Sequence, residues 1–242
     1  GVDNLGSAEI VVAHGIWRFL SGIISYVPVQ VSVIGASQSG KTSLDAQLIT
    51  QGAVRELGEE DRTHHAKGWL GNYQLPDATK KRIKSDGLAK TLVSRDLGGH
   101  TEYHSTWLRD MVNRNCNTVI VVIDHRHLTI PNNVDNQTAL GYLVNAMKKN
   151  NRPKGLSLKG RWRWRNYAPR RIILLANKAD EWMKMDDHQD WEKGFIARHK
   201  IYDVFREDLH QLQSMYIPVH IDAISARYGW NVQEAIMKGF EI

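Results

Sequence analysis

Gly35-Ala36-Ser37-Gln38-Ser39-Gly40-Lys41-Thr42 fits the pattern G-x-x-x-x-G-K-[ST], and its flanks put it where that pattern has chemical meaning. Ahead of it, after Pro28, Val29, Val31 and Val33 alternate with Gln30 and Ser32 before Ile34, which predicts a strand running into the loop. Behind it, helical spacing runs from Thr42 to Thr50. Strand, glycine-bounded loop and helix in that order predict a nest of inward-pointing N–H groups, reinforced by a helix N-terminus and suited to phosphate. In such a loop Lys41 reaches the β- and γ-phosphates and the Thr42 hydroxyl ligates Mg²⁺, while Gly35, Ser37, Gln38, Ser39, Gly40 and Ser43 complete the expected phosphate-binding set.

The rest of the chain supplies a framework for that loop. Asn117 to Asp124 (NTVIVVID) and Arg171 to Ala176 (RIILLA) are short, nearly all-apolar runs, as expected of strands buried on both faces of a parallel sheet. Val219 to Ile224 reads as a last strand, and helical patterns fall at about 101–114, 135–149, 189–214 and 231–240. Two strand-like runs, Thr79 to Ser85 and Leu88 to Asp96, flank Asp86-Gly87 and predict a hairpin. The expected fold is therefore α/β and doubly wound: a mostly parallel central sheet, helices on both faces, one antiparallel edge hairpin strand. One such domain would cover 29–242. Residues 1–28 would form an amphipathic helix, with Val12, Ile16, Leu20, Ile23, Ile24 and Val27 on one stripe.

A phosphate loop alone does not choose a base. Asn177-Lys178-Ala179-Asp180 closes the second apolar run, placing a carboxylate at the carboxyl edge of the sheet. There Asp180 can accept from guanine N1–H and the 2-amino group, a pair of donors adenine lacks. Ser225-Ala226-Arg227 follows the last strand and offers a backbone N–H for guanine O6. Asp96-Leu97-Gly98-Gly99-His100 follows the second hairpin strand, so Asp96 can hold Mg²⁺ through water and Gly99 can present its N–H to a γ-phosphate.

In the order G-x-x-x-x-G-K-T, D-x-x-G, N-K-x-D and S-A-[KR], roughly residues 29 to 242 resemble the Ras-like GTPases, the G domains of the translation-factor-related class of P-loop proteins. The Asp-x-Gly-Gly form and a helix ahead of the first strand look most like the Arf-type branch. The resemblance implies a P-loop G domain that binds GTP or GDP with Mg²⁺, hydrolyses GTP slowly without an activator, and has loops whose order follows the γ-phosphate. It also implies a protein effector or regulator as partner.

Against that pattern the sequence departs in places. The residue after D-x-x-G is commonly glutamine, and here it is His100, which either orients the attacking water through a ring nitrogen or faces solvent in an interaction module with little turnover. The threonine expected to sense Mg²⁺ has Thr63 and Thr79 as candidates, Thr63 being preferred for its distance from Lys41. Ser37 and Gln38 occupy positions where the family often has small residues.

Composition adds bounds. The chain has 242 residues, 42% hydrophobic and 24% charged, with no apolar run near the roughly eighteen residues of a spanning helix, so a soluble, cytoplasmic protein is expected, with peripheral membrane attachment an option. Cys116 is the one cysteine and excludes an internal disulfide. The start at Gly1 and the close of the chain after residue 240 read as a piece of a longer protein. Of 32 basic residues ten fall between Lys148 and Arg171, a stretch with no acidic residue, so the formal charge of +6 is concentrated in one segment. That segment, about 148–170, is read as an insertion. Extended, Arg161-Trp162-Arg163-Trp164-Arg165 would put both tryptophans on one face, for nucleic acid, a membrane surface or an acidic protein; otherwise the tryptophans pack on the domain and the arginines are solvated.

Overall fold

The computed structural model describes residues 31–36, 38–41, 43, 44, 47, 107–109, 111–113, 115–148 and 152–242. The expected N-terminal helix, the hairpin at 79–96, and Ser37, Thr42, Thr63, Asp96, Gly99 and His100 lie outside them.

Four strands, β1 (Val31–Gly35), β2 (Thr118–Ile123), β3 (Arg171–Ala176) and β4 (Val219–Ala223), form a sheet in that spatial order. All three pairings are parallel, with Val33 opposite Ile120, Ile120 opposite Ile173, and Ile173 opposite His220. Every residue of β2 is buried, as is every residue of β3 after Arg171, and this is why those strands read as unbroken apolar runs rather than alternating ones.

The helices are α1 (Arg126–Thr129), α2 (Asp135–Met147), α3 (Leu158–Arg163), α4 (Ala179–Trp182), α5 (Met185–Glu192), α6 (Arg206–Ser214) and α7 (Val232–Glu241). Val119, Val121, Ile123, Ile172 and Leu174 share one core with Leu140, Leu143 and Val144 of α2, Leu212 of α6, and Leu108, Met111 and Val112 of the helical residues 107–109 and 111–113. On the other face α7 lies so close to β3 that a Cβ on Gly239 would overlap Ile173, which only the absence of a side chain permits. Layers on both faces of a parallel sheet are the doubly wound arrangement expected.

Two expectations are corrected. The long helix at 189–214 is instead α5, two 3₁₀ segments at Ile196–Arg198 and Lys200–Phe205, and α6. Gly194, at φ +77°, turns the chain out of α5 in the left-handed conformation that ends helices. Residues 161–165 are not extended. The Ser157 hydroxyl accepts from the Gly160 N–H at 3.0 Å, an N-cap that starts α3, and the Trp164 N–H donates to the Gly160 carbonyl at 2.9 Å. Winding that segment sends its tryptophans apart: Trp164 is 7% exposed and Trp162 80%.

Candidate functional site

Because all strands run the same way, the loops following β1, β3 and β4 gather at one edge of the sheet, where the crevices of such sheets bind ligands. These loops carry Gly35 to Lys41, Asn177 to Asp180, and Ser225 to Arg227.

In the first loop a Cβ on Gly35 would overlap the Val122 carbonyl oxygen, so the strand can enter the turn only as glycine. Gln38 holds φ +60°, a left-handed conformation costing a non-glycine residue about 1–3 kcal/mol, a type of strain found at functional loops. Lys41 is 5% exposed, and its Nζ reaches back across the loop to the Ala36 carbonyl at 2.5 Å. Helical residues follow at 41, 43, 44 and 47, with the Leu44 N–H on the Gly40 carbonyl at 2.9 Å. The cradle, its ammonium and the helix start are thus in the expected relation for an anion.

Asn177 ties the three loops together. Its Nδ2 donates to the Ser39 carbonyl at 2.9 Å and its Oδ1 accepts from the Ala226 N–H at 2.9 Å. Its own backbone N–H donates to the Ile123 carbonyl at 2.8 Å, and its carbonyl accepts from the Trp182 indole at 2.9 Å. Next to it Lys178 takes φ +59°, turning the chain so that Ala179 bonds back to the Ile224 carbonyl at 3.0 Å. Asp180 is exposed, and its Oδ1 accepts from the Ser225 hydroxyl at 2.5 Å. One carboxylate oxygen is held by the neighbouring loop, which orients the other for a ligand's donors. Arg227 is exposed and lies over the Tyr228 ring, 5.4 Å from its centroid.

This arrangement decides the fold type. The fold is the α/β one of P-loop proteins, a parallel sheet with the glycine-bounded loop at its carboxyl edge. Comparison with known proteins finds no matching family model and no matching curated protein. Among solved structures the chain is similar to the Arl6 BBS3 small GTPase from Trypanosoma brucei with bound nucleotide analogue GppNp, at 16% identity over 88% of this chain and 95% of that one, with a TM-score of 0.41. It is also similar to an ADP-ribosylation-factor-like GTP-binding protein, the small COPII coat GTPase SAR1, from Encephalitozoon cuniculi in complex with GDP, at 12% identity over 98% of this chain and 92% of that one, with a TM-score of 0.43.

A buried charge cluster beneath this P-loop site was missed by sequence reasoning. Asp124, with no side-chain exposure, accepts from Arg126 Nε at 2.7 Å, from Lys178 Nζ at 3.1 Å and from Asn136 Nδ2 at 3.1 Å. Burial raises its pKa, but the Asn136 hydrogen bond and the Lys178 and Arg126 cations outweigh that and hold it below the ordinary carboxylate value. The clue in the sequence is the carboxylate that ends the apolar run NTVIVVID; its partners, two and twelve residues on and at Lys178, are set only by the fold. An open cavity of about 310 Å³ lies beyond Asp180 and Ser225, bordered by Met183, Met185, Tyr228 and Trp230, with none of the described phosphate-loop residues among its lining. Among the described residues no group of three His, Cys, Asp or Glu could hold a metal ion. The residues expected to hold Mg²⁺, Thr42, Asp96 and Thr63, are outside the described set.

Proposed function

We propose that this chain is a Mg²⁺-dependent, GTP-binding and GTP-hydrolysing switch of the Ras-like type, nearest in its motifs to the Arf-type branch. The observation that carries this reading is the Asn177 side chain, which joins the phosphate loop at Ser39 to the base-recognition loops at Ala226 and, through Ser225, at Asp180. That link would hold phosphates and base at a fixed separation along one sheet edge. GTP would lay its phosphates against the N–H groups of residues 35–41, with Lys41 exchanging the Ala36 carbonyl for phosphate oxygens. The Asp180 carboxylate would accept from guanine N1–H and the 2-amino group. Guanine O6 would compete with Asn177 Oδ1 for the Ala226 N–H. Mg²⁺, held by Thr42, Asp96 and Thr63, would supply charge neutralisation at the phosphates.

Asp180→Asn tests the base assignment. A neutral amide cannot accept two hydrogen bonds with full charge, and a charge-assisted bond is worth about 1.5–3 kcal/mol, so GTP affinity is expected to fall about 10- to 150-fold with little change for ATP. Equal affinities for the two nucleotides in wild-type protein, or no loss of GTP affinity in the variant, would defeat the guanine reading.

Hydrolysis is tested by phosphate release under multiple turnover with Mg²⁺. If His100 orients water, His100→Ala lowers turnover about 100-fold or more and leaves GTP affinity within a few-fold of wild type. Absence of release with GTP bound would favour an interaction module that uses nucleotide only as a structural ligand, or an enzyme that waits for a partner.

A further inference from the structure

The basic segment has a built face that the nucleotide reading does not use. Helix α3 is fixed to the domain along one side: Trp164 and the preceding Leu156 are buried, and a Cβ on Gly160 would overlap Asn113 Oδ1. Asn113 also accepts from the Ser157 N–H at 2.9 Å and, through its carbonyl, from Arg163 at 2.7 Å. Gly160 and Trp164 are four apart on one side of the helix, and Leu156 is buried just ahead of the Ser157 N-cap. Leu158 and Trp162 are also four apart, on the opposite stripe, and they are 83% and 80% exposed. A leucine and a tryptophan held side by side in water by a helix anchored from behind are presented outward by the packing itself.

On the helix Lys159 and Arg161 flank this apolar pair, and the same segment carries four more exposed cations, Arg152, Lys154, Arg165 and Arg170. No ion pair joins any of them to an acidic side chain among the described residues, and the segment has no acidic residue of its own. We infer that this face docks on an anionic lipid surface, with Trp162 and Leu158 entering the headgroup and acyl boundary and the cations on lipid phosphates and carboxylates. Tryptophan favours that boundary, and each Lys or Arg near an anionic leaflet strengthens binding about fivefold. Single-stranded nucleic acid fits the face less well. Such strands need successive aromatic platforms, whereas Trp164 is buried and leucine has no stacking face.

Placement supports the same occupant. The segment bonds to the residues ahead of β2, Tyr167 hydroxyl to the Cys116 carbonyl at 3.0 Å and Arg170 N–H to the Asn117 carbonyl at 2.7 Å. It therefore sits at the amino-terminal edge of the sheet, about 20 Å from the carboxyl edge at some 3.3 Å per strand residue, so the docking face and the phosphate loop belong to opposite ends of the strands.

The test is sedimentation of the full chain with phosphatidylcholine vesicles with and without phosphatidylserine, with no nucleotide added, beside nucleotide affinity measured separately. Binding to the serine-containing vesicles, weakened about 25-fold in Lys159→Gln/Arg161→Gln and at least tenfold in Trp162→Ala, with melting temperature and GTP affinity unchanged, is the expected result. No binding to serine-containing vesicles, or binding that Trp162→Ala and Leu158→Ser leave intact, would overturn it. Capture of a single-stranded oligonucleotide in preference to those vesicles would overturn it in favour of nucleic acid. Failure here leaves GTP affinity intact, so it is distinguishable from failure of the nucleotide reading.

Discussion

Gly40→Ala is expected to remove measurable nucleotide binding and to lower stability by about 3–5 kcal/mol. Gly40 sits at φ +91°, where a side chain is strained whatever space surrounds it, and an added Cβ would overlap Nδ2 of Asn177. A side-chain end can often step aside, but this one is held at both ends, by the Ser39 carbonyl and the Ala226 N–H. Displacing it leaves buried polar groups unpaired at about 1–3 kcal/mol each and separates the phosphate loop from the loop that carries Ala226. Ser39→Ala is the matching control. The Ser39 hydroxyl is buried without a hydrogen-bond partner and only its backbone carbonyl serves Asn177, so that variant should unfold close to wild type. Denaturant unfolding of both variants beside GTP titration would decide the matter; Gly40→Ala melting with wild type would refute the clamp.

Asp124→Asn should cost about 3 kcal/mol, because removing one partner of a buried ion cluster leaves cations facing a neutral amide. At this chain length that is a fall of roughly 6–12 °C in melting temperature. The isosteric amide can still accept from Asn136 and from the Arg126 backbone N–H, which bonds to Asp124 Oδ1 at 3.1 Å, so the loss reports charge rather than shape. The pH dependence has a definite sign. The folded pKa of Asp124 is depressed, so its contribution is complete above the unfolded value of about 3.9 and is lost as pH falls through the folded pKa. Wild type and variant should therefore differ fully near neutrality and converge in acid. A gap that stays constant down to strongly acidic pH would show that the carboxylate charge is not what the site uses. Since Lys178 is held by this carboxylate, the variant should also loosen the loop that carries Asp180.

What was legible in the sequence and what was not divides along physical lines. NTVIVVID and RIILLA could be read as strands because burial on both faces leaves only apolar residues, a pattern that needs no knowledge of the neighbours. The phosphate loop and N-K-x-D were legible because each needs particular backbone or side-chain chemistry at fixed spacing. The anchored stripe of α3 was hidden by Gly160, which packs by having no side chain and so is invisible to hydrophobic periodicity. With that member missing, the alternation of Arg161 to Arg165 suggested a strand. Gly194 broke a helical pattern that its neighbours continued. The Asp124 cluster is completed by Lys178, 54 residues away, and spacing does not encode such a contact.

The clamp between Ser39 and Asn177 spans 138 residues. On a ribosome adding about 5–20 residues per second, the loop emerges about 7–28 s before the amide that secures it exists. A ligand stabilises only the species it binds, so with GTP as the proposed ligand the growing chain would gain nothing from it through the completed site during that interval. Its hold on folding would begin after Asn177 and grow again when Ala226 arrives. Ligand-assisted folding through this site would thus wait for residues 177–226, although the phosphate loop that starts the site is made well before them.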